Sequence, residues 1–181
     1  MRAKKWNLLK LTLLFVAAGL VLTMGGTGAF AGRPDCWMTG GGSIFPFNVQ
    51  YGGDDRITHG FVVHCTPRNS DNLQVNDHAT GNSFHMTNLE SAICIDDPAI
   101  EPNPPDASFD TFVGQGTGRC NLAGQGGPGV PCTVRFTFTD GGERGGCLRD
   151  TAIIEVRDEN GNVVISVAGD VDCGNHQAHS Q

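Results

Sequence analysis

The sequence predicts one all-β domain, an antiparallel β-sandwich or barrel-like fold that disulfide bonds hold together. Short segments of alternating apolar and polar residues recur along the chain, with glycine and proline between them, a pattern typical of sandwiches and barrels. The 181 residues include 26 glycines and 9 prolines, and no segment has a convincing helical period. The chain also has seven cysteines, which in an exported protein are expected to form disulfides.

Export is predicted from the N-terminus. Residues 1–31 have the parts of a secretory signal peptide: a basic start, an apolar stretch over residues 11–24 and the cleavage motif Ala29-Phe30-Ala31. A membrane anchor is the alternative, but the apolar core of residues 11–22 is shorter than the ~20 residues that span a bilayer. We therefore predict a single β domain over residues 32–181, with its core at about 40–179, in a secreted or extracellular protein. The periplasm is the alternative compartment.

The strands follow from the alternating pattern and from turn residues. In residues 133–139, for example, Val134, Phe136 and Phe138 alternate with polar residues and so point to one face of a sheet. The prolines of residues 96–107 predict an extended crossover on the surface instead. The predicted strands are, in chain order, 58–65, 72–76, 83–87, 91–95, 111–120, 133–139, 151–157 and 163–168.

The last two of these strands are predicted to form a hairpin. Asn160-Gly161 lies between them, and Asn-Gly is a strong hairpin signal because both residues accept positive φ angles. In the returning strand, Val163, Ile165 and Val167 are predicted to point inward.

The cysteines are spaced for disulfides rather than for a structural zinc site, since no C-x-x-C pair exists and the spacings are wide. Each preferred pair joins segments that the strand pattern brings close, although sequence alone leaves other pairings open. One cysteine of the seven is left over and is predicted to be free or to bridge to another molecule. The preferred pairs are Cys65–Cys94, Cys120–Cys132 and Cys147–Cys173, and the remaining residue is Cys36.

Charge narrows the set of partners. Beyond residue 31 the chain has eight arginines, no lysine and all nineteen acidic residues, a formal net charge of −11 with histidine neutral. Nucleic-acid binding needs clustered lysine and arginine, and attachment to an anionic membrane surface needs a basic segment. We therefore expect no nucleic-acid partner and, after cleavage of the signal, no membrane insertion.

A set of ordered motifs resembles a known bacterial extracellular module, the post-COAP domain. The resemblance covers residues 40–179, and the function of that family is undefined, so it implies an extracellular setting but no catalytic residues. Compared with the family, this chain has extra cysteines at Cys120, Cys132, Cys147 and Cys173. The motifs are THGF at 58–61, NLQVN at 72–76, FH at 84–85, DDPAI at 96–100, FDTFVGQGTG at 109–118, FTFTDGGE at 136–143, RDENGNVV at 157–164 and GNHQAH at 174–179.

Histidines and paired acids are the residues that could bind a metal ion. His59, His85 and His176 lie within the resembling motifs, and three imidazoles would suit zinc or copper. The alternative is that His59 and His176 donate hydrogen bonds that hold strand ends and the C-terminal tail together, since buried polar groups need partners. Calcium at Asp96 or Asp97 is a further hypothesis, although neither belongs to a D-x-D-x-D-G loop.

No catalytic residue is predicted. The chain has no G-x-S-x-G motif, and the neighbours His64 and Cys65 would point to opposite faces of a strand. The first functional hypothesis is a secreted, non-catalytic structural or interaction module of the bacterial cell exterior. It would assemble with itself or with other surface proteins through exposed strand edges, and Cys36 could form a disulfide with a neighbouring molecule. The alternatives are a metal-binding protein or metal-dependent hydrolase that uses the histidines, and a carbohydrate-binding module.

Overall fold

Eight antiparallel strands close into a barrel in which every strand pairs with its neighbours in the chain and β8 returns to β1. The computed structural model describes residues 36–45, 55–100, 107–127, 129–142 and 150–180. The predicted signal peptide therefore lies outside the described residues. The strands are β1 Cys36–Ile44, β2 Ile57–His64, β3 Asn72–Asp77, β4 Ser83–Ile95, β5 Thr111–Asn121, β6 Val130–Thr139, β7 Thr151–Asp158 and β8 Val163–Ser180.

The structure confirms the all-β prediction and corrects it in four respects. Residues 83–87 and 91–95 belong to one strand, β4, whose register against β5 shifts twice. β1 was not predicted, and the tail after residue 168 is also strand, because the long β8 pairs first with β7 and then with β1. Val163 was predicted to point inward but is 46% exposed. A register shift in the β7–β8 ladder separates it from the inward-facing Ile165.

Inward-facing side chains fill the barrel, so its interior is a packed core. Phe84, Phe112 and Phe138 are among the largest fully buried side chains, and each contributes roughly 1.5–3 kcal/mol by leaving water. In β5 the inward position of Gly114 has no side chain because the ring of Phe136 occupies that space. A Cβ atom at Gly114 would lie 2.3 Å from Cζ of Phe136.

Both predicted disulfides whose cysteines are described are present, Cys65–Cys94 and Cys120–Cys132. The first joins the end of β2 to β4, on either side of the short strand β3. It supplements the β3–β4 ladder, which has only three register pairs. The second ties β5 to β6 across the glycine-rich loop. Two disulfides indicate an oxidising, non-cytoplasmic environment. The third predicted pair, Cys147–Cys173, includes Cys147, which lies outside the described residues.

Cys36 has a free thiol that is buried in the core, with only 3% of the residue exposed. Its Sγ lies 3.7 Å from Oγ of Ser108. The predicted bridge from Cys36 to another molecule is therefore not accessible in the folded barrel. Within the described ranges, no helix has the length and apolar character needed to cross a membrane.

Candidate functional site

Two of the predicted histidines meet inside the barrel. His59 on β2 and His176 on β8 are buried, and their Nε2 atoms lie 2.7 Å apart. The rings of Phe61 and Phe138 stack on each other at 4.0 Å and both contact the pair. The pair is thus a small polar centre enclosed by aromatic rings.

Glycines of β1 bring the two rings together. β1 lies between β2 and β8, and its inward positions at this level are Gly40 and Gly42, which pair with His176 and His59 respectively. A Cβ atom at Gly40 would lie 2.9 Å from Cδ2 of His176. Because these positions lack side chains, the two imidazoles can reach each other across β1.

The hydrogen bonds fix the tautomers of the pair. Nδ1 of His176 lies 3.2 Å from the carbonyl oxygen of Thr139, so this nitrogen carries a proton and donates it. Nε2 of His176 then has a lone pair, and Nε2–H of His59 donates to it. Nδ1 of His59 is left as a buried lone pair with no hydrogen-bond partner among the described residues.

Both imidazoles are neutral at pH 7. Burial lowers the pKa of His59 to about 4, against a smaller opposing contribution from the backbone of Gly42. Burial also lowers the pKa of His176 to about 3, helped by repulsion from His59 and opposed by the Thr139 carbonyl. A histidine held neutral by its surroundings at pH 7 contributes hydrogen bonds to the core but no charge.

Two aspartates at the strand ends hold the segment of β8 that carries His176. Asp150 precedes β7, and its Oδ2 accepts the backbone N–H of His176 at 2.5 Å. Asp140 follows β6, and its Oδ2 accepts the backbone N–H of Ala178 at 2.8 Å. These contacts position His176 against the carbonyl of Thr139.

The other predicted metal ligands lie elsewhere. His85 is exposed on the outer face of β4, so the three predicted histidines do not converge on one point. Asp97 is engaged in turn contacts: its N–H donates to Asp110, and its Oδ1 accepts the N–H of Ala99 at 2.9 Å. Among the described residues no group of three or more histidine, cysteine, aspartate or glutamate side chains could hold a metal ion.

One outer face of the barrel has a polar groove over β2 and β3. The groove has a volume of about 430 Å³. Gly60 lies at its centre, and no atom lies within 4 Å of the position that a Cβ atom would take there. We call this feature the amide groove; its outward-facing residues are Thr58, Gly60, Val62, Asn72, Gln74 and Asn76.

A second outer face, on β4 to β7, has a mainly apolar row of side chains. Register pairing aligns Ile93, Val113, Thr137 and Ile153 in one row across the four strands. Ile93 and Ile153 are 44% and 53% exposed. We call this row the isoleucine belt. The adjacent row is polar and consists of Ser91, Gln115, Arg135 and Glu155.

No family model, curated protein or solved structure matches this chain. The resemblance to post-COAP domains stays a prediction from the sequence motifs.

Proposed function

We propose that this protein is a non-catalytic interaction module of the cell exterior that associates with a second copy of itself through the isoleucine belt. The predicted signal peptide, the two disulfides and the resemblance to an extracellular module support the exterior setting. The observation that carries the proposal is the pair of exposed isoleucines, Ile93 and Ile153, at the two ends of the belt.

Closure of the barrel favours association through an outer face over association through exposed strand edges, which the sequence had suggested. Every described strand pairs on both sides, so assembly through free strand edges is not available along these ladders. Association through the described strands then uses side chains on an outer face. Contiguous exposed apolar surface with a polar border is characteristic of protein interaction sites.

The order of residues along the belt suits a two-fold symmetric interface. A two-fold axis parallel to the strands and between β5 and β6 places Ile93 against Ile153 of the second copy. The same axis places Val113 against Thr137, so the apolar row is nearly palindromic. Such self-complementarity is what a symmetric dimer interface requires, because each patch must match itself.

The polar row is also matched by this axis. It places Gln115 opposite Arg135 of the second copy, so a guanidinium donor meets an amide oxygen. It places Ser91 opposite Glu155, so a hydroxyl donor meets a carboxylate. Arg157 pairs with Glu155 at 2.8 Å and so neutralises the acidic group of this row. Arg135 adds a positive charge, and the two arginines offset part of the repulsion between two acidic molecules at this face.

Sedimentation velocity of the exported, oxidised protein tests the proposal. We expect a concentration-dependent dimer that Ile153→Arg weakens at least tenfold, because the variant places a charge against the apolar side chain of Ile93 of the second copy. Val163→Arg is the matched control, since Val163 is 46% exposed but lies outside the belt. A protein that stays monomeric at millimolar concentration, or a dimer that both variants weaken equally, would contradict the proposal.

A further inference from the structure

We infer that the amide groove is a binding site for a neutral, hydroxyl-rich polysaccharide. This ligand is distinct from the second copy proposed above, because the groove lies over β2 and β3 and the belt lies on β4 to β7.

The shape of the groove comes from one missing side chain. Gly60 pairs with Gly41 on one side and with Gln74 on the other, in the middle of an outer face. Two adjacent glycines leave a depression between the flanking side chains. The φ angle of Gly60 is not positive, so the backbone does not require glycine at this position. The residue instead keeps the groove open.

The walls of the groove carry unused hydrogen-bonding groups. Asn72, Gln74 and Asn76 alternate along β3 and point outward, so their side chains span about 13 Å at ~3.3 Å per residue. Within the described part of the chain, their amides make no side-chain hydrogen bond to protein atoms. Each amide offers both donors and an acceptor, which suits the hydroxyl groups of a sugar.

The charge of the groove indicates a neutral ligand. Its outward-facing residues are amides, a hydroxyl, a valine and a glycine, although residues 32–181 have a formal net charge of −11. An acidic polysaccharide would be repelled by the rest of the surface and would find no arginine in the groove. A neutral polysaccharide meets neither obstacle.

The groove also has an apolar wall for the C–H face of a sugar ring. Val62 is 39% exposed and faces the groove beside Gly60. Further along the same outer face, Trp37 pairs with His64, and its ring stacks on His179 at 4.8 Å. The face therefore combines hydrogen-bonding groups with apolar surface, as sites for small polar ligands do.

Affinity electrophoresis tests the inference with named probes. The native protein is run in gels that contain dextran, galactomannan, mixed-linkage β-glucan or the polyanion alginate. We expect retardation by at least one neutral polysaccharide and none by alginate. Retardation by alginate, or by none of the four, overturns the inference.

Two variants locate the binding. Gly60→Val fills the groove without removing a hydrogen-bonding group, and the open space at its Cβ position predicts an unchanged fold. Asn72→Ala with Gln74→Ala removes two amides and is expected to weaken binding about tenfold or more. Asn88→Ala is the control, an exposed amide on β4 outside the groove.

The inference requires both groove variants to lose affinity while their melting temperatures and the control stay near wild type. Equal binding by Gly60→Val and wild type would place the ligand elsewhere and overturn it. Ile153→Arg should leave retardation unchanged, so the belt and the groove can fail separately.

Discussion

At the residue scale, the buried pair of His59 and His176 is the feature with the clearest consequences. Sequence patterning correctly placed His59 on the same face as Phe61 and Val63, and His85 on the face opposite Phe84. It did not bring His59 and His176 together. Their meeting depends on β1, whose inward glycines make the space, and β1 was not predicted.

The pair makes stability depend on pH. In the unfolded chain each imidazole takes up a proton as the pH falls through 6.5, whereas the folded pKa values are about 4 for His59 and about 3 for His176. The contribution of the two neutral histidines to the free energy of unfolding is therefore complete above pH 6.5. It is lost as the pH falls from 6.5 toward the folded pKa values. Each histidine contributes a slope of up to about 1.4 kcal/mol per pH unit.

Urea denaturation at pH 7, 6 and 5 measures this effect. We expect wild type to lose stability more steeply than a variant with His59→Phe and His176→Leu, because only wild type has the two lowered pKa values. Identical slopes for the two proteins would show that the pair is not buried and neutral.

The hydrogen bond between the two rings predicts that substitutions of His59 and His176 change the free energy of unfolding non-additively. His59→Phe alone leaves the Nε2 lone pair of His176 unsatisfied, and His176→Leu alone leaves the Nε2–H of His59 without an acceptor. Each unsatisfied group costs about 1–3 kcal/mol. The double variant removes both groups and should cost less than the sum by about 1 kcal/mol or more. Additive free energies of unfolding in a double-mutant cycle would contradict the assigned contact.

At the element scale, strands with a regular period of two were predictable and irregular ones were not. β6 and β7 keep strict alternation, and their predicted positions agree with the structure. β4 was divided in two because its register shifts between Met86 and Asn88 and again between Leu89 and Ser91, and each shift breaks the pattern. In β1, Gly40 and Gly42 occupy inward positions, so no apolar signal marks them.

The end of β8 was missed for a related reason. Near Asp172 the strand leaves β7 and joins β1, and Cys173 there has a φ angle of 53°. A Cβ atom at Gly174 would lie 2.2 Å from the carbonyl oxygen of Gly41, so only glycine permits this close approach. Glycine in a tail otherwise indicates a loop, and only the partner strand β1 shows that this segment is a strand.

The disulfides differ in how much they should stabilise the barrel. Cys65–Cys94 closes a loop of 29 residues and Cys120–Cys132 one of 12 residues. Loop-closure entropy gives about 3.6 kcal/mol for the first and about 2.8 kcal/mol for the second. Pairwise replacement by alanine, followed by chemical denaturation, should preserve this order. A larger loss of stability on replacing Cys120–Cys132 would indicate that Cys65–Cys94, the disulfide beside β3, is not needed to close the barrel.

At the scale of the whole molecule, the barrel keeps its packed core inside and presents the two proposed recognition surfaces outside. Its interior is filled with apolar side chains and one neutral histidine pair, and its described strands are paired around the full circuit. Composition and cysteine count made such a disulfide-bonded β domain predictable. The outer faces were not predictable, because the belt and the groove each combine residues from strands whose register only the fold defines.

The central claim is that the protein acts through its outer surface by self-association at the isoleucine belt. Backbone amide NMR spectra of the ¹⁵N-labelled, oxidised protein, recorded from millimolar to micromolar concentration, test it most directly. The account predicts concentration-dependent shifts that cluster on β4 to β7 around Val113 and Thr137 and disappear in Ile153→Arg. Spectra that do not change with concentration, or changes confined to β1 to β3, would contradict it.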